Sequence, residues 1–107
     1  MSRGIRGCQA KLAEVLRDSG KSLDEAAQLY KVMLDFEIKV VGRNHPTVLL
    51  TAAEHARCLE LKGSPNAADT YRRAYPILLK TWGEKDVDVK KVRSWIEAGR
   101  KTDDVKE

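Results

Sequence analysis

"GRNHPTV" at residues 42–48 and "GEKDVDV" at residues 83–89 decide how this chain folds. Gly42 and Gly83 stand 41 residues apart, and each follows a long helix-forming run. Glycine past the end of a helix takes up backbone conformations that other residues resist, so it stops the helix. In the first stretch Asn44 or His45 can cap the next helix. Pro46 suits its first turn, where no backbone N–H is needed. In the second stretch Asp86 can cap, and Asp88 suits the positive end of the helix that follows. Both stretches are therefore punctuation: stop, turn, restart. Punctuation that recurs at a fixed period implies a repeated helix pair.

Outward from these turns, the sequence reads as five helices. Ala, Leu, Lys, Glu and Arg are abundant and strand signals are nearly absent. The first helix is expected over about 5–18, with Ile5, Cys8, Leu12, Val15 and Leu16 at helical spacing and Gly20 as its stop. Ser22 and Glu25 match a capping box for the second helix, which reaches Val41. Its apolar set is Leu23, Ala26, Ala27, Leu29, Tyr30, Met33, Leu34, Ile38 and Val41. The third helix runs from Pro46 to about Lys62, and the fourth from about Pro65 to Trp82. The fifth, about 86–100, carries Val89, Val92, Trp95 and Ile96 on one face and charge on the other. Residues 101–107 read as a polar tail.

The unit's interior repeats as well. "AAQLYKVML" (26–34) aligns with "AADTYRRAY" (67–75), setting Tyr30 on Tyr71. "KLAEVLRDSG" (11–20) aligns with "EHARCLELKG" (54–63), setting Ala13 on Ala56. Small residues at Ala13, Ala26, Ala56 and Ala67 let helices approach closely, and the tyrosines are knobs for the neighbouring helix. Pro76 falls inside the fourth helix, where it removes a backbone donor and favours a kink. Its counterpart Asp35 is polar, so the position should face solvent.

These residues in this order resemble tetratricopeptide repeats, and more narrowly the long-period repeats of kinesin light chains and nephrocystin-type adaptors. "LAEVLRDSG", "DEAAQLYKVML" and "GRNHPTV" carry the resemblance in the first unit; "GSPNAADTYRRAY" and "GEKDVDV" carry it more loosely in the second. The resemblance implies an all-α, antiparallel helix-turn-helix solenoid. Repeat 1 would span about 5–41, repeat 2 about 45–82, and a capping helix about 86–100, all within one domain over 1–100. It also implies a non-catalytic adaptor that grips a protein or peptide in a concave groove. Carried over by alignment, the groove positions are Ala10, Lys11, Glu14 and Arg17, then Leu50, Ala53, Glu54, Arg57 and Leu61. The asparagine that commonly precedes the "LA" pair is replaced here, in "AKLA" and "AEHA". An asparagine amide both donates to and accepts from a peptide bond, whereas lysine only donates and ionised glutamate only accepts. Glu14 and Glu54 would also repel a partner's carboxylate.

A weaker resemblance, in the "HP" turn and around "AYPILLKTWG" (74–83), is to the C-terminal helical region of SET- and MYND-type lysine methyltransferases. It would make the chain an accessory domain, since those enzymes keep their catalytic and zinc residues elsewhere. A third reading follows from the N-terminal helix, which has no cap before it. A solenoid buries each repeat against the next, so that helix implies a fragment, a partner, or a second copy of the chain.

Composition and charge bound the function classes. The 107 residues carry 20 basic and 16 acidic side chains, a net charge of +4, interspersed in sign as on solvated helix faces. A basic stripe with interleaved aromatics, the mark of a nucleic-acid binder, is missing. His55 and Cys58 sit three apart on one helix, but no second pair completes a metal site; burial of His55 and a capping role for His45 explain both histidines. Cys8 and Cys58 read as core thiols, without the spacing of a disulfide framework or a zinc site. Trp82 and Trp95 are expected to pack the last helix onto the fourth. No catalytic constellation, cofactor motif or run of about 18 apolar residues occurs. "MSRGIRGCQA" has no apolar secretion core, and the expected location is cytoplasmic.

Overall fold

The computed structural model of the chain describes residues 7–20 and 22–105, with side chains described for 10–20 and 22–99. It contains α1 (Gly7–Ser19), α2 (Leu23–Val41), α3 (Pro46–Leu61), α4 (Ala67–Trp82) and α5 (Val87–Val105), and no strand among the described residues. Ile5 and the Cys8 side chain lie outside what is described.

The two glycine turns are built alike. Gly42 has φ 89° and ψ 162°; Gly83 has φ 91° and ψ 161°. This is backbone that only glycine adopts without strain. Each glycine N–H donates to the carbonyl four residues back, Ile38 and Leu79, both at 2.9 Å. Each glycine carbonyl then accepts from the residue three positions on, His45 at 3.4 Å and Asp86 at 3.2 Å. Those two residues cap the next helix with different chemistry. His45 Nδ1 accepts from the Thr47 N–H at 3.1 Å. Asp86 Oδ1 accepts from the N–H groups of Asp88 and Val89, at 2.9 and 3.2 Å.

Three local expectations change. The Ser22 side chain makes no cap hydrogen bond, so the Ser22/Glu25 capping box does not form. Its ψ of 53° departs from the extended conformation that aims a cap oxygen at the first-turn N–H groups. Helix α4 begins at Ala67 rather than Pro65. The end of α3 uses up the connection: Gly63 and Ser64 donate to the carbonyls of Glu60 and Leu59, both at 2.9 Å, a Schellman closure. Helix α5 continues to Val105, past the expected end near Arg100. Neither glycine nor proline follows Gly99 to stop it, so residues 101–105 of the expected polar tail are helical.

Each helix packs chiefly on its neighbours in sequence, and α3 also touches α5. The shortest dimension is 21 Å, the thickness of two helix layers. Side-chain contacts put α1, α3 and α5 in one layer, which leaves α2 and α4 to form the other. Ala13, Ala26, Ala56 and Ala67 are all buried, as close packing of the pairs requires. The core forms two clusters. The first gathers Ala13, Ala26, Ala27, Tyr30, Met33 and Cys58. The second gathers Leu50, Tyr71, Ala74, Leu78, Val89, Val92 and Trp95 with smaller residues. Trp82 packs against this second cluster, and Trp95 meets Tyr71 of α4 with ring centroids 5.5 Å apart. Both tryptophans thus join α5 to α4 as expected.

Tyr30 and Tyr71 are fully buried, and each hydroxyl finds the same aligned position on the preceding helix. Arg17 donates to Tyr30 at 3.2 Å, whereas Tyr71 donates to Glu60 at 2.8 Å. The knob is kept and the polarity of its anchor is reversed. Pro76 and Asp35 are both exposed, and α4 runs through the proline without a break in assignment. Val41, expected in the core, is exposed where α2 runs out into the turn.

Candidate interaction surfaces

The inner face is built by α1, α3 and α5, and its side chains are engaged with one another. Arg17 of α1 is 3% exposed. Its guanidinium bonds Asp18 at 3.1 Å and lies 3.8 Å from Glu54 and 3.9 Å from Glu14. Lys91 of α5 reaches back to Glu14 at 3.0 Å and to Glu54 at 3.7 Å. Arg17 and Arg57 approach the Trp95 ring at 5.2 and 5.6 Å from its centroid. The first and last helices thus meet across α3 through one charged and aromatic network.

The proton equilibria reflect this closure. The hydrogen bond from Lys91 holds the Glu14 carboxyl below its ordinary pKa of 4.5, against a smaller opposing effect of burial. Burial acts to lower the pKa of Arg17, but the oxygens of Tyr30, Asp18 and Glu54 outweigh it and raise it. Lys91 is likewise raised: burial opposes its charge, and Glu14, Glu54 and Asp88 overcome it.

Of the nine positions aligned with a groove, Arg17, Leu50, Ala53 and Glu54 are buried. Ala10 and Glu14 are half-buried, Lys11 and Leu61 are exposed, and Arg57 is part-buried in an ion pair with Glu60 at 2.8 Å. A partner cannot touch the buried four without displacing the network. Beside Arg57, a cleft of about 420 Å³ opens between α3, α4 and α5, its lining including Arg57, Glu60, Tyr71, Arg72, Trp95 and Ile96.

The other candidate surface was not singled out by sequence. Val32, Phe36 and Val40 recur every fourth residue on α2 and are 48%, 56% and 52% exposed. His55 of α3 senses the charges of Lys31 and Asp35, which places that flank of α2 towards α3. Helical spacing puts Val32, Phe36 and Val40 on the opposite flank. Leu16 and Leu29 pack on the first core cluster. Leu12, 52% exposed, lies one turn before Leu16, and Val32 and Phe36 lie one and two turns after Leu29. Together they make an apolar edge on the side of the α1–α2 pair remote from α3. The i, i+4, i+8 spacing was the available signal. It was masked because α2 has more apolar residues than one face needs.

Burial governs the remaining polar groups. His55 is half-buried, and burial pushes its pKa below 6.5, helped by Lys31 and opposed by Asp35. Cys58 is buried, and burial pushes its thiol up to about 11, which makes it a core thiol rather than a nucleophile. Among the described residues, no helix is long and apolar enough to cross a membrane.

The fold and these surfaces define an all-helical array of consecutively packed helices with a closed inner face and an apolar outer edge. No family model, no curated protein and no solved structure matches the chain.

Proposed function

We propose that this protein is a non-catalytic interaction module of the tetratricopeptide type, and that it engages its partner through the apolar edge of α1 and α2 rather than through the inner face. The observation that carries the reading is the row of Val32, Phe36 and Val40, each about half exposed, beside Leu12. Scattered apolar residues are ordinary on a protein surface, but a contiguous row marks a place of contact. Closure of the inner face supports the same choice, because docking there would first have to break the Arg17–Glu54 and Lys91–Glu14 pairs. The exposed inner positions Lys11 and Leu61, and the cleft at Arg57, would then lie outside the contact.

Photo-crosslinking in cells tests this. A photoreactive residue at position 40 is expected to give a discrete adduct that disappears in Phe36→Ser. A photoreactive residue at position 11 is expected to give none. Adducts from position 11 that survive Phe36→Ser would return the contact to the inner face and sink the proposal.

A further inference from the structure

We infer that the occupant of the α1–α2 edge is a second copy of this chain, packed antiparallel along α2 about a two-fold axis at Val32. This rests on reading that edge as the docking face. The row is self-complementary in charge. Exposed Glu25 and Lys39 flank it, each seven residues from Val32, one towards either end of α2. Seven residues are about two turns, or ~10.5 Å. A two-fold axis through Val32 therefore sets Glu25 of each copy beside Lys39 of the other, with Leu29 and Phe36 interleaved between. Parallel stacking would oppose Glu25 to Glu25 and Lys39 to Lys39.

A head-to-tail array is disfavoured by the other end of the molecule. The outer face of α5 exposes Lys90, Arg93, Ser94 and Glu97, which would have to be stripped of water against Phe36 and Val40. An isologous contact sets Val32 on Val32 and Phe36 beside Leu29 of the other copy, with Val40 at its rim. With α2 about 28 Å long, α1 about 20 Å, and each ~10 Å across, the α1–α2 face is roughly 480 Å². That lies below the standard ~800 Å² per partner, so a weak, reversible dimer is expected.

Sedimentation equilibrium of the chain over ~10–500 µM, a range that spans weak association, should show species of 12.0 kDa and twice that mass. Lys39→Glu and Glu25→Lys should each weaken the dimer about tenfold. The double exchange, Glu25→Lys with Lys39→Glu, should restore it, which nonspecific apolar adhesion would not do. A monomer throughout the range overturns the inference, as does a double exchange no stronger than either single one. A position-40 crosslink found only with a different protein would also overturn the dimer, while leaving the interaction reading in place. Loss of every edge crosslink would remove both. Circular dichroism of each variant separates lost association from lost folding.

Discussion

Replacing Arg17 by alanine tests whether the inner face is a structural network. The guanidinium is 3% exposed and serves five neighbours: Tyr30, Asp18, Glu54, Glu14 and Trp95. The Asp18 pair involves a largely exposed carboxylate and contributes little. The buried hydrogen bond to Tyr30 involves a charged donor and contributes about 1.5–3 kcal/mol. The approach to Trp95 adds about 0.5–2 kcal/mol. Glu54 keeps Lys91 at 3.7 Å, so its charge is not wholly abandoned. The total, about 2–5 kcal/mol, overlaps what is typical for breaking a buried pair. For a domain of this size that lowers the melting temperature by about 8 °C or more. Urea unfolding followed by far-ultraviolet circular dichroism reads the loss, with Lys11→Ala as a surface control expected near zero. If Arg17→Ala stays within about 1 kcal/mol of the parent, the network is solvated and the inner face is open after all.

Three further outcomes follow from the same structure. Gly42→Ala should cost about 1–3 kcal/mol from backbone alone, because no atom lies within 4 Å of the added Cβ while φ is +89°; chemical denaturation measures it, and a neutral result would show that the turn rearranges. His55 has a depressed folded pKa, so the unfolded chain binds its proton first; the stability this contributes is intact above pH 6.5 and is lost as pH falls below it. Urea midpoints between neutral pH and the onset of carboxylate protonation should therefore fall less in His55→Gln than in the parent. Cys58 behaves oppositely at high pH, since its folded pKa is raised: its contribution is intact below 9.0 and lost towards about 11. A thiol reagent should modify Cys58 in the native protein far more slowly than in urea, and equal rates would place the thiol outside the core.

The helical framework was legible because its signals are local. Gly42 and Gly83 impose their backbone on any surroundings, and His45 and Asp86 need only the first turn of the helix they cap. The tyrosine knobs followed from alignment within the chain. Helix ends were less legible where two neighbouring signals competed: Gly63 and Ser64 closed α3 and delayed α4 past Pro65. The closure of the inner face was not legible. Glu14 and Lys91 lie 77 residues apart and meet only because successive packing angles bring α5 back to α1. Alignment could say that Glu54 lies on the inner side of α3, but not that Arg17 and Lys91 would close over it. The edge of α2 was hidden for another reason. Leu29, Met33, Leu34 and Ile38 already account for an inward face, so Val32, Phe36 and Val40 looked like surplus hydrophobicity rather than a second surface.

The central claim is that this protein makes its contacts at the outer edge of its first helix pair and not in its inner face. A dilution series of the isotopically labelled chain, followed by amide correlation spectra, tests it residue by residue. The account predicts concentration-dependent shifts at Leu29, Val32, Phe36 and Val40, while the Trp95 indole N–H stays still. Shifts centred on Trp95 and Lys91 with the α2 row unmoved, or no shifts anywhere, would contradict it.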